Sequence, residues 1–178
     1  MSEVLRITVA TSDEMEGLGR RIGAVLRAGD LVVLRGELGA GKTTLTRGIG
    51  DGMGVRGPIT SPTFVLSRVH PPVAGEVPLV HVDAYRLADA RELDDLDLDF
   101  AGAATVVEWG DGLLDGVSDS WLRITIDRPH GAATSTAGPG DDVLDSIADD
   151  SPREVELAGF GPAWPASRVA PLVGGGAS

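Results

Sequence analysis

Residues 36–44 read Gly36-Glu37-Leu38-Gly39-Ala40-Gly41-Lys42-Thr43-Thr44 and satisfy G-x-x-x-x-G-K-[ST]. A short apolar segment, Asp30 to Arg35, precedes this run, and an amphipathic one with Leu45, Ile49 and Met53 on one face follows it. A strand, a glycine loop and a helix in that order constrain the fold more than any other feature of the chain. The glycines let the backbone turn successive amide groups toward a phosphate, and the helix N-terminus adds a potential that favours the anion. The expected ligand is ATP with magnesium. Lys42 is placed to reach the β- and γ-phosphates and the Thr43 hydroxyl to coordinate Mg²⁺. Glu37, Leu38, Gly39, Ala40, Gly41 and Thr44 complete the expected cradle, with Thr11 and Trp109 as further nucleotide contacts.

Patterning around the loop predicts a three-layer α/β P-loop fold with a mixed sheet that is mostly parallel at its centre. Leu5, Ile7 and Val9 alternate with Arg6 and Thr8, as in a half-buried strand. Thr11 with Glu14 reads as a capping box before a helix whose stripe is Met15, Leu18, Ile22, Val25 and Leu26. Asp30 to Arg35 is apolar without alternation, the mark of a central strand. Thr63 to Val69 and Val77 to Val82 read as an antiparallel pair, residues 88 to 100 as an acidic helix with Leu93, Leu96 and Phe100 inward, and Ala104 to Trp109 as a buried strand. Trp121 to Asp127 and Glu154 to Leu157 read as a closing hairpin. Residues 1–161 are expected to form one domain, with 131–152 a disordered insertion, polar and small-sided, and 162–178 a loose tail.

A P-loop by itself leaves metal coordination and water activation unfinished, so carboxylates at strand ends matter. Asp83 follows the strand Pro78 to Val82, and Glu108 follows Ala104 to Val107. An acid at the carboxyl end of a central strand faces the ligand crevice of an α/β sheet. His81 could be a base or a strand histidine satisfied by its neighbours, and Trp109 a core residue or a wall of the nucleotide pocket.

The chain has no cysteine, which excludes disulfides and thiolate chemistry, and its 27 acids against 15 bases give a net charge of −12. Asp141, Asp142, Asp145, Asp149 and Asp150 account for five of those charges, and without them the chain still carries −7. That balance disfavours a broad grip on nucleic acid, which needs Lys and Arg to release counterions. No uncharged apolar run approaches the length of a membrane span, so a cytoplasmic protein is expected.

Four ordered motifs carry a resemblance: Gly39-Ala40-Gly41-Lys42-Thr43, Thr60-Ser61-Pro62-Thr63-Phe64, His81-Val82-Asp83-Ala84-Tyr85-Arg86-Leu87 and Val107-Glu108-Trp109. Together they resemble the bacterial TsaE (YjeE) family over roughly residues 4 to 129 and again near Arg153 to Gly161. The resemblance implies an ATPase of threonylcarbamoyladenosine biosynthesis. It would act with a TsaB–TsaD heterodimer that modifies adenosine 37 of tRNAs reading codons that begin with A. It also implies a switch at Thr60, Ser61, Pro62 and Thr63, a metal site with Asp83 beside Thr43 and Glu108, and a role for Glu108 in hydrolysis. The insertion and the tail depart from the family pattern. A P-loop small-molecule kinase and a nucleotide-dependent binding module with incidental hydrolysis are the rival readings.

Overall fold

The computed structural model describes residues 4–62, 66–85, 87, 89–109, 112, 117–128 and 151–174. Its strands are β1 (Val4–Val9), β2 (Leu31–Gly36), β3 (Ser67–His70), β4 (Leu79–Asp83), β5 (Ala104–Glu108), β6 (Trp121–Asp127) and β7 (Arg153–Phe160). They form a sheet in the order β1-β7-β6-β2-β5-β4-β3. The four central strands, β6, β2, β5 and β4, run parallel, whereas β3 pairs antiparallel with β4, and β7 pairs antiparallel with both β6 and β1. The sheet is therefore mixed with a parallel centre, and β2, which feeds the glycine loop, lies in its middle. None of the described helices is long and apolar enough to cross a membrane.

Helices α1 (Ser12–Val25), α2 (Lys42–Met53) and α4 (Ala166–Val173) cover one face, where Leu18, Ile22, Leu45 and Ile49 pack on Val32, Leu34, Val106, Leu122 and Ile124. On the other face Leu31, Val33, Val80, Val82 and Val107 are covered by Leu87, Leu93, Leu96 and Phe100. Thr11 caps α1 by accepting from the Glu14 amide at 3.2 Å. Glu14 Oε2 in turn accepts from the backbone of Ala10 at 2.7 Å, one residue before the Thr11 amide that a capping box would use.

Three expectations change. The acidic helix over 88–100 shrinks to α3 (Ala90–Asp94), capped by Asp89. Aspartate is a poor helix former that tolerates left-handed backbone, and Asp97, at φ 48°, ends any continuation, although Leu93, Leu96 and Phe100 still turn inward. Strand β3 begins only at Ser67, after Leu66 at φ 64°, and Thr63–Val65 lie outside the described residues. The loose tail at 162–178 is the clearest correction. Trp164, Val169 and Leu172 are buried, and Arg168 makes two hydrogen bonds to the Asp30 carboxylate, at 3.0 and 2.5 Å, while its guanidinium lies 3.9 Å from the centre of the Trp164 ring. Pro165 stands at the helix N-cap, where a missing amide costs little, and Pro171 lies inside the helix. Of the expected insertion, 131–150 lies outside the described residues, as does 175–178 of the tail.

Helices α1 and α2 touch through glycines. A Cβ on Gly19 would lie 2.8 Å from Gly48 Cα, one on Gly48 2.9 Å from the Glu16 carbonyl carbon, and one on Gly52 2.9 Å from Arg20 Cα. These are backbone atoms that no rotamer change can move. Gly48→Ala should therefore cost about 1–3 kcal/mol despite alanine's higher helix propensity. Gly17, whose Cβ would meet nothing closer than arginine side-chain tips at 3.9 Å, should gain a few tenths to about 1 kcal/mol as alanine. Urea unfolding of the two variants checks the contrast in sign.

Candidate functional site

The site forms where β2 ends. Its apolar residues are buried on both faces, and the chain leaves the sheet at Gly36 and returns as α2 at Lys42. Gly39 at φ 76° and Gly41 at φ 112° take left-handed backbone that closes the turn, a conformation other residues adopt only with strain. Gly41 is the N-cap of α2 and supplies no side-chain cap. The first-turn amides, which lack intrahelical acceptors, are thus available to an anion, and this fits a phosphate group. Leu38 stands out from the loop at 90% exposure, whereas Lys42, Thr43 and Thr44 are buried. The Lys42 ammonium donates to the carbonyls of Gly36 at 2.8 Å and Glu37 at 3.0 Å, and lies 4.4 Å from the centre of the Trp109 ring.

Both strand-end carboxylates arrive at the same edge. Parallel pairing sets Glu108 beside Leu34 of β2 and Asp83 beside Glu108. Both are buried, at 4% and 5% exposure. The Trp109 amide donates to the Leu34 carbonyl at 3.1 Å, and its φ of 63° turns the chain there, with Tyr85 edge-on to the indole at 5.5 Å. Asp83 Oδ1 accepts from the Tyr85 amide at 3.0 Å. Among the described residues no group of three His, Cys, Asp or Glu side chains could hold a metal unaided. Thr43, Asp83 and Glu108 instead offer one hydroxyl and two carboxylates, a donor set suited to magnesium that draws its remaining ligands from phosphate and water.

The remaining predicted residues are placed less uniformly. Thr11 caps α1, whose Met15 side chain approaches to 3.4 Å of where a Gly41 Cβ would stand, so this helix end adjoins the loop. Thr60 is exposed, Ser61 half-buried and Pro62 buried, and Thr63 lies outside the described residues. Arg47 donates to the carbonyl of Ile59 at 3.2 Å. Pro62 accepts from the Leu66 amide, and Leu66 accepts from the Asp83 amide, each at 2.9 Å, which ties Pro62 of the expected switch to the end of β4.

A family profile described as "Threonylcarbamoyl adenosine biosynthesis protein TsaE" matches residues 9–135. The tRNA threonylcarbamoyladenosine biosynthesis protein TsaE of Streptomyces coelicolor is 49% identical over 163 residues, covering 90% of this chain and all of that protein. The Bacillus subtilis protein of the same name is 35% identical, covering 70% of this chain and 78% of its own length. The chain belongs to the TsaE family. The crystal structure of Bacillus subtilis YdiB superposes with a TM-score of 0.69 at 25% identity, over 97% of this chain and 95% of that one.

Two contacts at this TsaE-family site had no signal in residue spacing. His81 Nε2 lies 2.8 Å from Glu108 Oε1, across the β4–β5 pair. Arg153, buried at the start of β7, donates from Nε to the carbonyl of Ala40 in the loop at 3.2 Å. The two residues lie 113 positions apart. Further out on β3, burial pushes the His70 imidazole below its ordinary value of 6.5, against the raising effect of its contact with the Arg56 carbonyl. A lowered folded-state value favours the neutral ring, so its contribution to stability is present above about 6.5 and fades as pH falls below that.

Arg153→Met keeps the apolar stem of the side chain and removes the donor to Ala40. Amide hydrogen exchange should then quicken by about tenfold at residues 37–41 while β2 stays protected, because a loop opens locally when its anchor is lost. Unchanged protection at 37–41 would show that the loop holds itself.

Proposed function

We propose that this chain binds ATP with magnesium, hydrolyses it, and uses the cycle to regulate threonylcarbamoyl transfer to adenosine 37 of tRNAs reading codons that begin with A. The transferase in this reading is a TsaB–TsaD heterodimer. The observation that carries the chemistry is the convergence of Lys42, Asp83 and Glu108 at one edge of the sheet, with the two carboxylates register partners on β4 and β5. Bound magnesium would draw charge from the phosphate oxygens. Lys42 exchanges its loop carbonyls for the β- and γ-phosphates, Thr43 and Asp83 hold the metal, and Glu108 orients the attacking water and receives its proton. Thr11 and Trp109 border the nucleotide.

Coupling to a partner follows from how Asp83 is held. Its backbone amide is bonded to Leu66, which is bonded back to Pro62, so ligands gathered at Asp83 bear on the segment that leads to Pro62. Ordering of that segment around the γ-phosphate and its release on hydrolysis would give two surfaces of different partner affinity. The net charge of −12 suits a partner surface with basic groups and leaves tRNA contact to the transferase.

Two substitutions should move in opposite directions. Lys42→Ala should lose most ATP affinity in titration calorimetry while remaining folded. Glu108→Gln should keep ATP affinity but slow single-turnover hydrolysis by on the order of 10²-fold, the usual worth of acid–base assistance. In ATP, Glu108→Gln should stay longer on the TsaB–TsaD pair than the parent and Lys42→Ala should leave sooner. Parental hydrolysis in Glu108→Gln would remove its catalytic role, and equal dissociation of the two variants would remove the switch.

A further inference from the structure

His81 lies two residues before Asp83 on β4, so the two share a face of the sheet, the face that carries the loop and α2. The strand neighbour β5 brings Glu108 onto the same face, and the His81 ring reaches across to it. The contact runs from Nε2 to Oε1 at 2.8 Å, with His81 fully buried and Glu108 4% exposed. An ionised carboxylate only accepts hydrogen bonds, so the ring donates from Nε2, and the neutral tautomer carries its lone pair on Nδ1. That Nδ1 is buried and has no hydrogen-bond partner among the described residues. An imidazole enclosed with half its polar capacity unused is a cost that an apolar residue at position 81 would avoid.

What the ring supplies in return is a fixed donor to one oxygen of a carboxylate. The terminal torsion of a glutamate is broad, and a carboxylate free to turn presents its two oxygens indifferently. With Oε1 engaged by His81, rotation of the Glu108 carboxylate is restrained and Oε2 keeps both lone pairs for water. Glu108 is already held at its backbone, where its carbonyl accepts from the Ala84 amide at 2.9 Å. Main chain and side chain are thus held from the same strand, β4, and its continuation.

We infer that His81 is a positioning residue for hydrolysis: it orients the Glu108 carboxylate and takes no part in binding nucleotide or metal. The inference rests on the reading of Glu108 as the group that orients the attacking water. A merely structural histidine would, when changed, lower stability without a selective effect on the chemical step.

The test compares His81→Asn, whose shorter amide withdraws the donor from Glu108, with His81→Gln, whose amide nitrogen reaches about as far as Nε2. ATP affinity, single-turnover hydrolysis of magnesium ATP and thermal unfolding are measured for each and for Glu108→Gln. His81→Asn should hydrolyse about tenfold or more slowly with ATP affinity within about threefold of the parent, and His81→Gln should recover most of the rate. Adding His81→Asn to Glu108→Gln should slow it no further, because the two act as a unit. If His81→Asn does not fold, His81→Leu takes its place in the comparison. A parental rate in His81→Asn beside a crippled Glu108→Gln overturns the inference, as does equal impairment of the Asn and Gln variants at equal stability. A parental rate in Glu108→Gln overturns instead the reading of Glu108, and the inference falls with it.

Discussion

The pairing of β2 with β5 is the constraint on which the rest depends. Leu34 lies beside Glu108 in that register, and the amide of Trp109 closes the pair by donating to the Leu34 carbonyl. Because β2 continues directly into the glycine loop, this register sets where the carboxylate stands relative to that loop. A slip of β5 by one residue would turn Glu108 to the opposite face, among Val33, Val80 and Val82 of its neighbour strands. What resists that slip is the carboxylate itself, which would be buried in the apolar layer around Val33 and Val80.

The cradle is held from the other side by helix packing. Glycines on α1 and α2 let the two backbones approach until no side chain fits between them, which places the start of α2 with little freedom. Arg153 secures the loop itself from β7. The functional groups therefore stand on rigid elements, and the segment at 60–62 joins them through two main-chain hydrogen bonds leading to Asp83. Rigid elements on one side of the site thus meet a backbone-tethered segment on the other.

Much of the acidity lies away from this edge. Asp94, Asp95, Asp97 and Asp99 lie at and beyond the end of α3, in the layer opposite α2. At the site, by contrast, the two carboxylates are buried and engaged, Asp83 by the Tyr85 amide and Glu108 by His81.

The sequence by itself determined the loop, its strand and helix, the strand-end acids and the mixed sheet, because each of these rests on local pattern: glycine spacing, periods of 2 and 3.6, and apolar runs of strand length. It misjudged the C-terminal segment, expected as a loose tail, which the burial of Trp164 and the Arg168–Asp30 pair hold against the sheet and its helices. It also gave too long a helix at 88–100, since inward-facing leucines satisfy the same periodicity in a turn-rich segment. Strand order, the meeting of His81 with Glu108 and of Arg153 with Ala40, and the adjacency of Asp83 to Glu108 were decided only by the tertiary structure. Those contacts join residues up to 113 positions apart, and their partners are chosen by sheet register and crossover topology, which no local propensity records.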